Sequence, residues 1–282
     1  MRRLYRIAFI VFVVLFAAYL GVFYLPKKLD SAPDIFCKSE LIEIPAGTGE
    51  ESILENVIAH DEKDGDLSHR VVIESISDFD NEMTRTAVFA VADSAGNVSR
   101  TSCRIKYTDY HSPRFSLLTL ERYPSASKID TVSNITVEDA IDGDLSNRVI
   151  ALTDLTNASD GVYKYKLSVT NSAGEKSTVT VFEQIAGYDL ESLPKINLDR
   201  YIVYLKKGDA FSAKDLINDV ESNNPVYVDA LGYTMNEVIE KDKVEISGKA
   251  DTETAGEYYL CYSVKNSAGK TGYSYLTVIV EE

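Results

Sequence analysis

One strand-like pattern occurs three times in this chain, and it limits the fold more than any other feature. In its clearest copy, residues 256–269, large side chains occupy every second position, and the copy ends in the sequence Asn-Ser-Ala-Gly. Alternation with a period of two predicts a half-buried β-strand, and Asn, Ser and Gly favour tight turns. A second copy occupies residues 161–174, and a less regular one occupies residues 87–96. Three copies predict a repeat protein built from small domains.

The spacing of the copies divides the chain into three units. The glycines that end the three turns, Gly96, Gly174 and Gly269, lie 78 and 95 residues apart, so each unit is small. Tyr (18) outnumbers Phe (10), Trp is absent, and Val, Ile and Thr are frequent, which favours pleated sheets over helices. We therefore expect an all-β protein with domains at residues 34–108, 109–188 and 189–282.

The N-terminus carries an apolar segment long enough to cross a membrane. Residues 7–25 contain no charged side chain and lie between Arg6 and Lys27. A helix of that length rises about 28 Å, close to the thickness of the hydrocarbon core of a bilayer. The segment predicts a retained transmembrane signal-anchor, with residues 1–6 in the cytoplasm and a spacer at residues 26–33. A cleaved signal peptide is the alternative. Both interpretations place the body of the protein outside the cytoplasm, and the first makes it a single-pass protein of the cell membrane.

The body of the chain is strongly acidic. The sequence has 29 Lys and Arg against 44 Asp and Glu, a net charge of −15, and several of the basic residues lie at the N-terminus. Such a surface repels nucleic acid and anionic lipid, so no nucleic-acid partner is expected. We interpret the excess of negative charge as a source of solubility.

The first two units share an acidic loop, Asp-x-x-Asp-Gly-Asp, which the third unit lacks. The separation of Asp64 from Ser94 equals that of Asp142 from Ser172, which indicates a duplication. Carboxylate oxygens beside a flexible glycine suit Ca²⁺, but the spacing is not that of an EF-hand, and Asp and Gly are also ordinary turn residues. Turn formation and Ca²⁺ binding are therefore both open for six residues: Asp61, Asp64, Asp66, Asp139, Asp142 and Asp144.

The order of these features resembles bacterial immunoglobulin-like (Ig-like) domains, which occur in tandem on surface proteins of Gram-positive bacteria and in pesticidal crystal proteins. A proline-led first strand, the Asp-Gly-Asp-Leu loop, the Gly-x-Tyr-x-Leu-x-Tyr strand and the Ser-Ala-Gly turn carry the resemblance over nearly everything after Pro33. The third unit fits the pattern best. The first fits it least, because Met83 and Arg85 stand where the others have Gly and Tyr. The resemblance implies three tandem β-sandwiches, a fold that serves as a spacer, an adhesin or an enzyme appendage.

Comparison of the repeats places Cys37 and Cys103 at inward positions, because their counterparts in the other units are apolar. The first and last strands are neighbours in sandwiches of the resembled kind, so a disulfide between these two cysteines is reasonable in an oxidising compartment. Two reduced thiols packed in the core are the alternative.

No arrangement of residues in the sequence indicates catalysis. His60, His69 and His111 have no metal-ligand spacing between them, and neither a Gly-x-Ser-x-Gly motif nor a glycine-rich loop before a helix is found. We expect no enzyme activity, no catalytic residue and no cofactor apart from the Ca²⁺ considered above.

The sequence therefore predicts a membrane-anchored extracytoplasmic protein whose Ig-like modules form a stalk for interaction or presentation at the cell surface. One alternative is an adhesin that binds carbohydrate or protein through stacking tyrosines of the third unit: Tyr259, Tyr273 and Tyr275. The other alternative is an accessory subunit of an envelope polysaccharide or secretion machine. The expected partners are the membrane, through the N-terminal helix, and a protein or polysaccharide at the cell surface.

Overall fold

The computed structural model describes residues 2–24, 31–123, 132, 134–153, 156–159, 161–185, 187–228 and 230–282. Strands make up most of the regular structure, which confirms the all-β class. The chain divides into two compact units, Met1–Tyr110 and His111–Glu282. The spacer expected at residues 26–33 lies largely outside the described residues.

The N-terminal segment forms helix α1 (Arg2–Tyr19), which continues as a short π-helical stretch, Leu20–Tyr24. Its large apolar side chains are exposed, with Phe9 68%, Leu15 64% and Val22 65% accessible. The membrane span expected at residues 7–25 is not found: within the described part of the chain, no helix is both long and apolar enough to cross a bilayer.

The first domain is a sandwich of two sheets. One sheet has the strand order β1-β3-β4 and the other the order β2-β7-β6-β5. Period-two alternation places Ala87, Phe89 and Val91 of β6 in the core, where the short helix α2 (Glu50–Leu54) adds Ile53. The strands are β1 (Asp34–Cys37), β2 (Leu41–Ile44), β3 (Val57–Asp61), β4 (Gly65–Asp66), β5 (Val72–Ile76), β6 (Thr84–Ala92) and β7 (Val98–Tyr107).

The second domain repeats this plan. One sheet has the order β11-β10-β8, and the other has the order β12-β14-β15-β9, with β13 also paired to β14. Phe115, Leu145, Leu167 and Val179 are almost wholly buried between the sheets. The strands are β8 (Arg114–Ser116), β9 (Arg122–Tyr123), β10 (Thr136–Asp139), β11 (Gly143–Asp144), β12 (Ile150–Ala151), β13 (Thr156–Ser159), β14 (Val162–Thr170) and β15 (Lys176–Ile185).

The third domain contains the sheet β17-β23-β22-β21, the pair β16-β18 and the hairpin β19-β20. Leu260, Tyr262 and Val264 of the repeated pattern are buried, as alternation requires, and the Tyr262 hydroxyl donates to the carbonyl oxygen of Ala213 at 2.8 Å. The strands are β16 (Lys195–Leu198), β17 (Ile202–Lys206), β18 (Ile217–Glu221), β19 (Pro225–Val228), β20 (Thr234–Asn236), β21 (Glu245–Ser247), β22 (Gly256–Lys265) and β23 (Thr271–Glu281).

In each domain one strand lies parallel to the last long strand of the same sheet. These parallel pairs are β2 with β7, β9 with β15, and β17 with β23. The third pair has five registered positions, from Ile202 opposite Thr277 to Lys206 opposite Glu281. An early and a late segment of each domain are thereby held side by side.

The second and third domains share one hydrophobic core. A single cluster of buried side chains runs from Phe115 and Leu117 of the second domain to Val278 and Val280 of the third. The first domain has a cluster of its own, centred on Phe89 and Ile105. Shared burial explains why residues 111–282 form one compact unit.

The turn before β6 holds its backbone in a region that side chains disfavour. Met83 has a φ of 56°, and the second domain has Gly161, with a φ of 81°, at the same repeat position. A left-handed conformation costs a residue with a side chain about 1 kcal/mol, and it costs glycine almost nothing. The departure of Met83 from the repeat is therefore a source of strain in the first domain.

A disulfide joins Cys37 and Cys103, whose Cα atoms are 6.3 Å apart. Cys37 ends β1 in one sheet, and Cys103 lies in β7 of the other. The bond is therefore a covalent link between the two sheets of the first domain.

Replacing both Cys37 and Cys103 with Ala is expected to lower the midpoint of the first unit's thermal unfolding and leave the second unit unchanged. The bond spans 66 residues, for which the loop-entropy estimate is about 4 kcal/mol. Calorimetry of the full chain measures the effect, and Cys261→Ala, which alters the free cysteine of the second unit, is the control. An unchanged unfolding midpoint of the first unit in the double variant would contradict this account.

Candidate functional site

A carboxylate and a serine 30 residues further along make the same contact in the first two domains. Asp64 accepts hydrogen bonds from the N–H and the Oγ of Ser94, at 2.6 and 2.8 Å. Asp142 accepts the same two bonds from Ser172, at 2.7 and 2.5 Å. Each pair connects the loop after β3 or β10, in one sheet, to the turn between the two long strands of the other sheet. The equal separations found in the sequence therefore reflect a contact that closes one end of each sandwich.

The third domain makes this contact with a different acid. Glu237, which follows β20, accepts two bonds from the N–H of Ser267, at 2.9 and 3.1 Å, and the separation is again 30 residues. The sequence interpretation, which took the acidic loop to be missing, overlooked Glu237. The equal separation from the repeated Ser-Ala-Gly turn was the signal that could have identified it.

The other aspartates of the acidic loops bind the backbone of their own turns. Asp61 and Asp139 each accept two bonds at Oδ1, at 2.8–2.9 Å, from the N–H groups two and three residues further along. Asp66 and Asp144 accept the N–H of the serine two residues ahead, both at 2.9 Å. Hydrogen bonds from these serines hold the pKa of Asp66 and the pKa of Asp144 below the ordinary value.

These six aspartates do not converge on a common point. Within the residues that the structure describes, no three His, Cys, Asp or Glu side chains lie close enough together to hold a metal ion. The Ca²⁺ sites expected at Asp61, Asp64 and Asp66, and at Asp139, Asp142 and Asp144, are therefore not formed by these triads, because the carboxylates are directed to separate backbone groups. Turn formation accounts for the sequence of both loops.

Two of the three tyrosines expected to form an exposed stacking face contact the second domain instead. The Tyr275 ring stacks on Phe182 of β15, with centroids 4.6 Å apart and an interplanar angle of 11°. Tyr259 meets the same ring edge-on, with centroids 5.2 Å apart. Tyr273 is half-buried on β23. Phe182 therefore covers one face of the Tyr275 ring, while Tyr259 remains 39% exposed beside it.

Hydrogen bonds surround this aromatic contact. The Thr180 N–H donates to Glu257 Oε1 at 2.5 Å, and the Thr277 hydroxyl donates to the Thr180 carbonyl oxygen at 2.6 Å. The Tyr259 hydroxyl donates to Thr180 Oγ1 at 3.1 Å. Thr180 and Thr277 are both buried. One residue of β15 thus bonds to the third domain through its N–H, its carbonyl and its hydroxyl.

A second group of contacts lies between β8 and the third domain. Arg114 and Glu281 form an ion pair at 2.5 Å, and the Arg114 guanidinium lies 5.4 Å from the centroid of the Tyr204 ring. The Phe115 N–H donates to the Tyr204 hydroxyl at 2.9 Å, and burial raises the pKa of Tyr204 to about 12. Contacts at two places, with a shared core between the domains, fix the orientation of the second domain against the third.

Sequence reasoning did not identify Phe182 as an interface residue. Val179 and Val181 of β15 point into the core of their own domain, so the period of two puts Thr180 and Phe182 on the outer face of the sheet. A phenylalanine on an outer face that is only 7% exposed must be covered by something else. Its position in the alternation was the available signal.

Glu183 is a buried acid at the end of the same strand. It is 5% exposed, its Oε1 accepts a hydrogen bond from the Tyr165 hydroxyl at 3.2 Å, and its Oε2 has no hydrogen-bond partner among the described residues. Burial raises the pKa of Glu183 to about 8, because desolvation disfavours the carboxylate. The second domain therefore holds this side chain as a neutral acid at neutral pH.

His60 and His69 lie at a groove of about 540 Å³ in the first domain. Leu54, Val57 and Ala59 contribute to its apolar part, and both histidines are exposed. His111, the third histidine of the sequence, contacts the carbonyl oxygen of Ser112 at 3.0 Å in the other compact unit. His60 and His69 therefore share one groove, and His111 belongs to the other compact unit.

Residues 223–280 match the family model described as "Bacterial surface protein, Ig-like domain". This part of the chain contains the clearest copy of the repeated pattern, and the match confirms there the resemblance seen in the sequence. No curated protein matches the sequence of the chain.

Solved structures with tandem domains match most of the chain at low identity. The M60 catalytic domain of Clostridium perfringens ZmpB with its CBM51-1 and CBM51-2 domains is 13% identical over 88% of this chain, with a TM-score of 0.22. Cadherin domains 1–5 of protocadherin Gamma B2 are 11% identical over 89%, with a TM-score of 0.20. Human CDH23 EC21-23 is 10% identical over 88% of this chain and all of its own, with a TM-score of 0.21. This chain spans 30% of the ZmpB structure and 60% of the protocadherin structure, and TM-scores this low carry no argument about function.

Phe182→Ala is expected to uncouple the second and third domains. Removing a buried ring that contacts Tyr259 and Tyr275 should cost about 3 kcal/mol and split the unfolding of residues 111–282 into two transitions. Calorimetry of the full chain measures this, and Tyr273→Ala, a half-buried tyrosine on β23, is the control for loss of an aromatic ring. A single sharp transition in Phe182→Ala would show that the ring does not couple the domains.

Glu183→Gln is expected to remove a pH dependence from the stability of the second domain. The pKa of Glu183 is about 8 in the folded chain against 4.5 as the ordinary value, so the folded state binds the extra proton and stability falls as pH rises between those values. The limiting slope is about 1.4 kcal/mol per pH unit. Chemical unfolding at a series of pH values should show that the free energy of unfolding of the variant rises relative to that of the wild type as the pH approaches 8. The exposed Glu138→Gln serves as control, and parallel curves for Glu183→Gln and wild type would refute the assignment.

Proposed function

We propose that this chain is a non-catalytic extracytoplasmic protein that is held at the membrane by its N-terminal segment and presents Ig-like modules for interaction at the cell surface. The proposal rests on the contacts within residues 111–282. A shared core and two groups of polar and aromatic contacts fix the second domain against the third. A spacer or presenting module needs this property, because a freely jointed chain would not hold its outer surface in a defined direction.

The N-terminal helix supports the anchoring part of the proposal. Phe9, Leu15 and Val22 expose apolar side chains, and no charged residue interrupts residues 7–25. Exposed apolar surface of this extent is costly in water and favourable in lipid.

The hairpin β19-β20 is the best candidate for the presented surface. Tyr227 is 57% exposed, Met235 63% and Val238 83%, and Val226 beside them is 56% exposed. Two acidic residues, Asp229 and Glu237, occur between Asn223 and Val238 in a chain with a net charge of −15, and Glu237 is bound to the Ser267 N–H. An apolar, nearly uncharged patch on an acidic protein fits a protein partner with an uncharged apolar surface, rather than a basic one. The hairpin, and not the tyrosines packed on Phe182, therefore supports the adhesin form of the proposal.

Fractionation of producing cells tests the proposal. The full chain is expected with the membranes and open to a membrane-impermeant label, and Phe12→Lys with Leu15→Lys should release it into a soluble fraction. Tyr227→Lys with Met235→Lys should leave the chain in the membranes but abolish its cross-linking to envelope proteins. Val72→Lys, at an exposed apolar position of the first domain, is the matched control for the added charge. A chain that stays soluble and unlabelled, or hairpin variants that cross-link as the wild type does, would contradict the proposal.

A further inference from the structure

The first and second domains differ at one buried pair of side chains. In the second domain the Asn171 Nδ2 donates to Asp139 Oδ2 at 3.1 Å, and both side chains are buried. In the first domain the residues at the same positions, again 32 apart, are Asp61 and Asp93, which are 3% and 4% exposed. Asp61 Oδ2 is buried and has no hydrogen-bond partner among the residues that the structure describes. A donor in the second domain has thus been replaced by an acceptor in the first.

The backbone around the pair is the same in both domains, so the two side chains are directed in the same way. Asp61 lies opposite Gly65, as Asp139 lies opposite Gly143. The turn after β6 has the bond from the Asp93 N–H to the Asn97 carbonyl oxygen at 3.1 Å, and its counterpart after β14 begins at Asn171, at 3.0 Å. The carboxylate–serine pairs hold both loops to both turns in the same register. The matching backbone places Asp61 Oδ2 on the side of Asp93, as Asp139 Oδ2 lies against the amide of Asn171.

Both aspartates of the first domain accept hydrogen bonds from N–H groups. Asp61 Oδ1 accepts the N–H groups of Lys63 and Asp64, both at 2.9 Å. Asp93 Oδ1 accepts the Asn97 N–H at 2.8 Å, and Asp93 Oδ2 accepts the Asn97 Nδ2 at 2.7 Å. Two buried carboxyl groups in this arrangement must share a proton or hold a cation between them.

We propose that the first domain binds a hard divalent cation, with Ca²⁺ as the natural candidate, between Asp61 Oδ2 and the carboxylate of Asp93. Two carboxylates provide part of an oxygen shell that backbone carbonyls and water complete, as is usual for Ca²⁺. This site differs from the loop triads considered above, because it joins the end of β3 to the turn after β6 and so bridges the two sheets. The second domain has no such site, since Asn171 already satisfies Asp139. The proposal does not rest on the function proposed above.

Calorimetry of the full chain with EDTA or with Ca²⁺, at equal ionic strength, tests the site. At about 2 mM Ca²⁺, above the dissociation constants typical of extracellular modules, the first unit's midpoint should rise by about 5 °C. Asp93→Asn copies the second domain, so in EDTA it should raise the first unit's midpoint, and it should abolish the response to Ca²⁺. Asn171→Asp is the converse variant: it should lower the second unit's midpoint in EDTA and make that unit respond to Ca²⁺. Hydrogen exchange of residues 57–66 and 91–97 locates the effect.

Two results would overturn the proposal. The first is that Ca²⁺ changes neither the unfolding midpoint of the wild-type first unit nor the hydrogen exchange of residues 57–66 and 91–97. The second is a Ca²⁺ response that Asp93→Asn retains in full, since the ion would then bind elsewhere. If Asp93→Asn is less stable than the wild type in EDTA, the two carboxylates do not face each other and the site is likewise rejected.

Discussion

Each domain depends on a carboxylate that accepts hydrogen bonds from a serine 30 residues further along the chain. Asp64, Asp142 and Glu237 perform this role. In the first two domains the acid lies in a loop of one sheet and the serine in a turn of the other, so the bonds join the two layers of the sandwich. In the first two domains the acid accepts both the N–H and the hydroxyl of the serine, and two bonds to one carboxylate fix the loop more firmly than one. The apolar core holds the two sheets together, and the carboxylate–serine contact fixes the position of the acidic loop against the turn of the other sheet.

Much of the architecture could be predicted from the sequence because it follows from local patterns. Alternation predicted that Leu260, Tyr262 and Val264 face inward, and equal spacing predicted the duplication of the acidic loop. The contacts between the second and third domains could not be predicted in the same way. Tyr259 and Tyr275 are residues typical of a ligand-binding face, and only the position of Phe182 on the neighbouring domain shows that another ring packs against both of them.

The candidate site, too, could be predicted only in part from the sequence. The sequence singled out the correct aspartates, but not what they bind, because an oxygen donor for a metal and an acceptor for a turn N–H are the same chemical group. The distinction depends on which atoms already have partners. Both oxygens of Asp139 accept hydrogen bonds, whereas one buried oxygen of Asp61 has no partner in the described part of the chain, although the two loops are alike in sequence.

The parallel strand pairs give the domains a mechanical property. In the third domain β17 lies alongside β23, so a pull that draws β17 and the C-terminal end of β23 in opposite directions slides one strand along the other. All of the bonds between them must then stretch together, whereas antiparallel hairpin bonds pulled from their open end give way one after another. In the first domain the link from Cys37 to Cys103 adds a connection that sliding alone cannot break. Tension along the chain therefore meets the greatest resistance at these early strands.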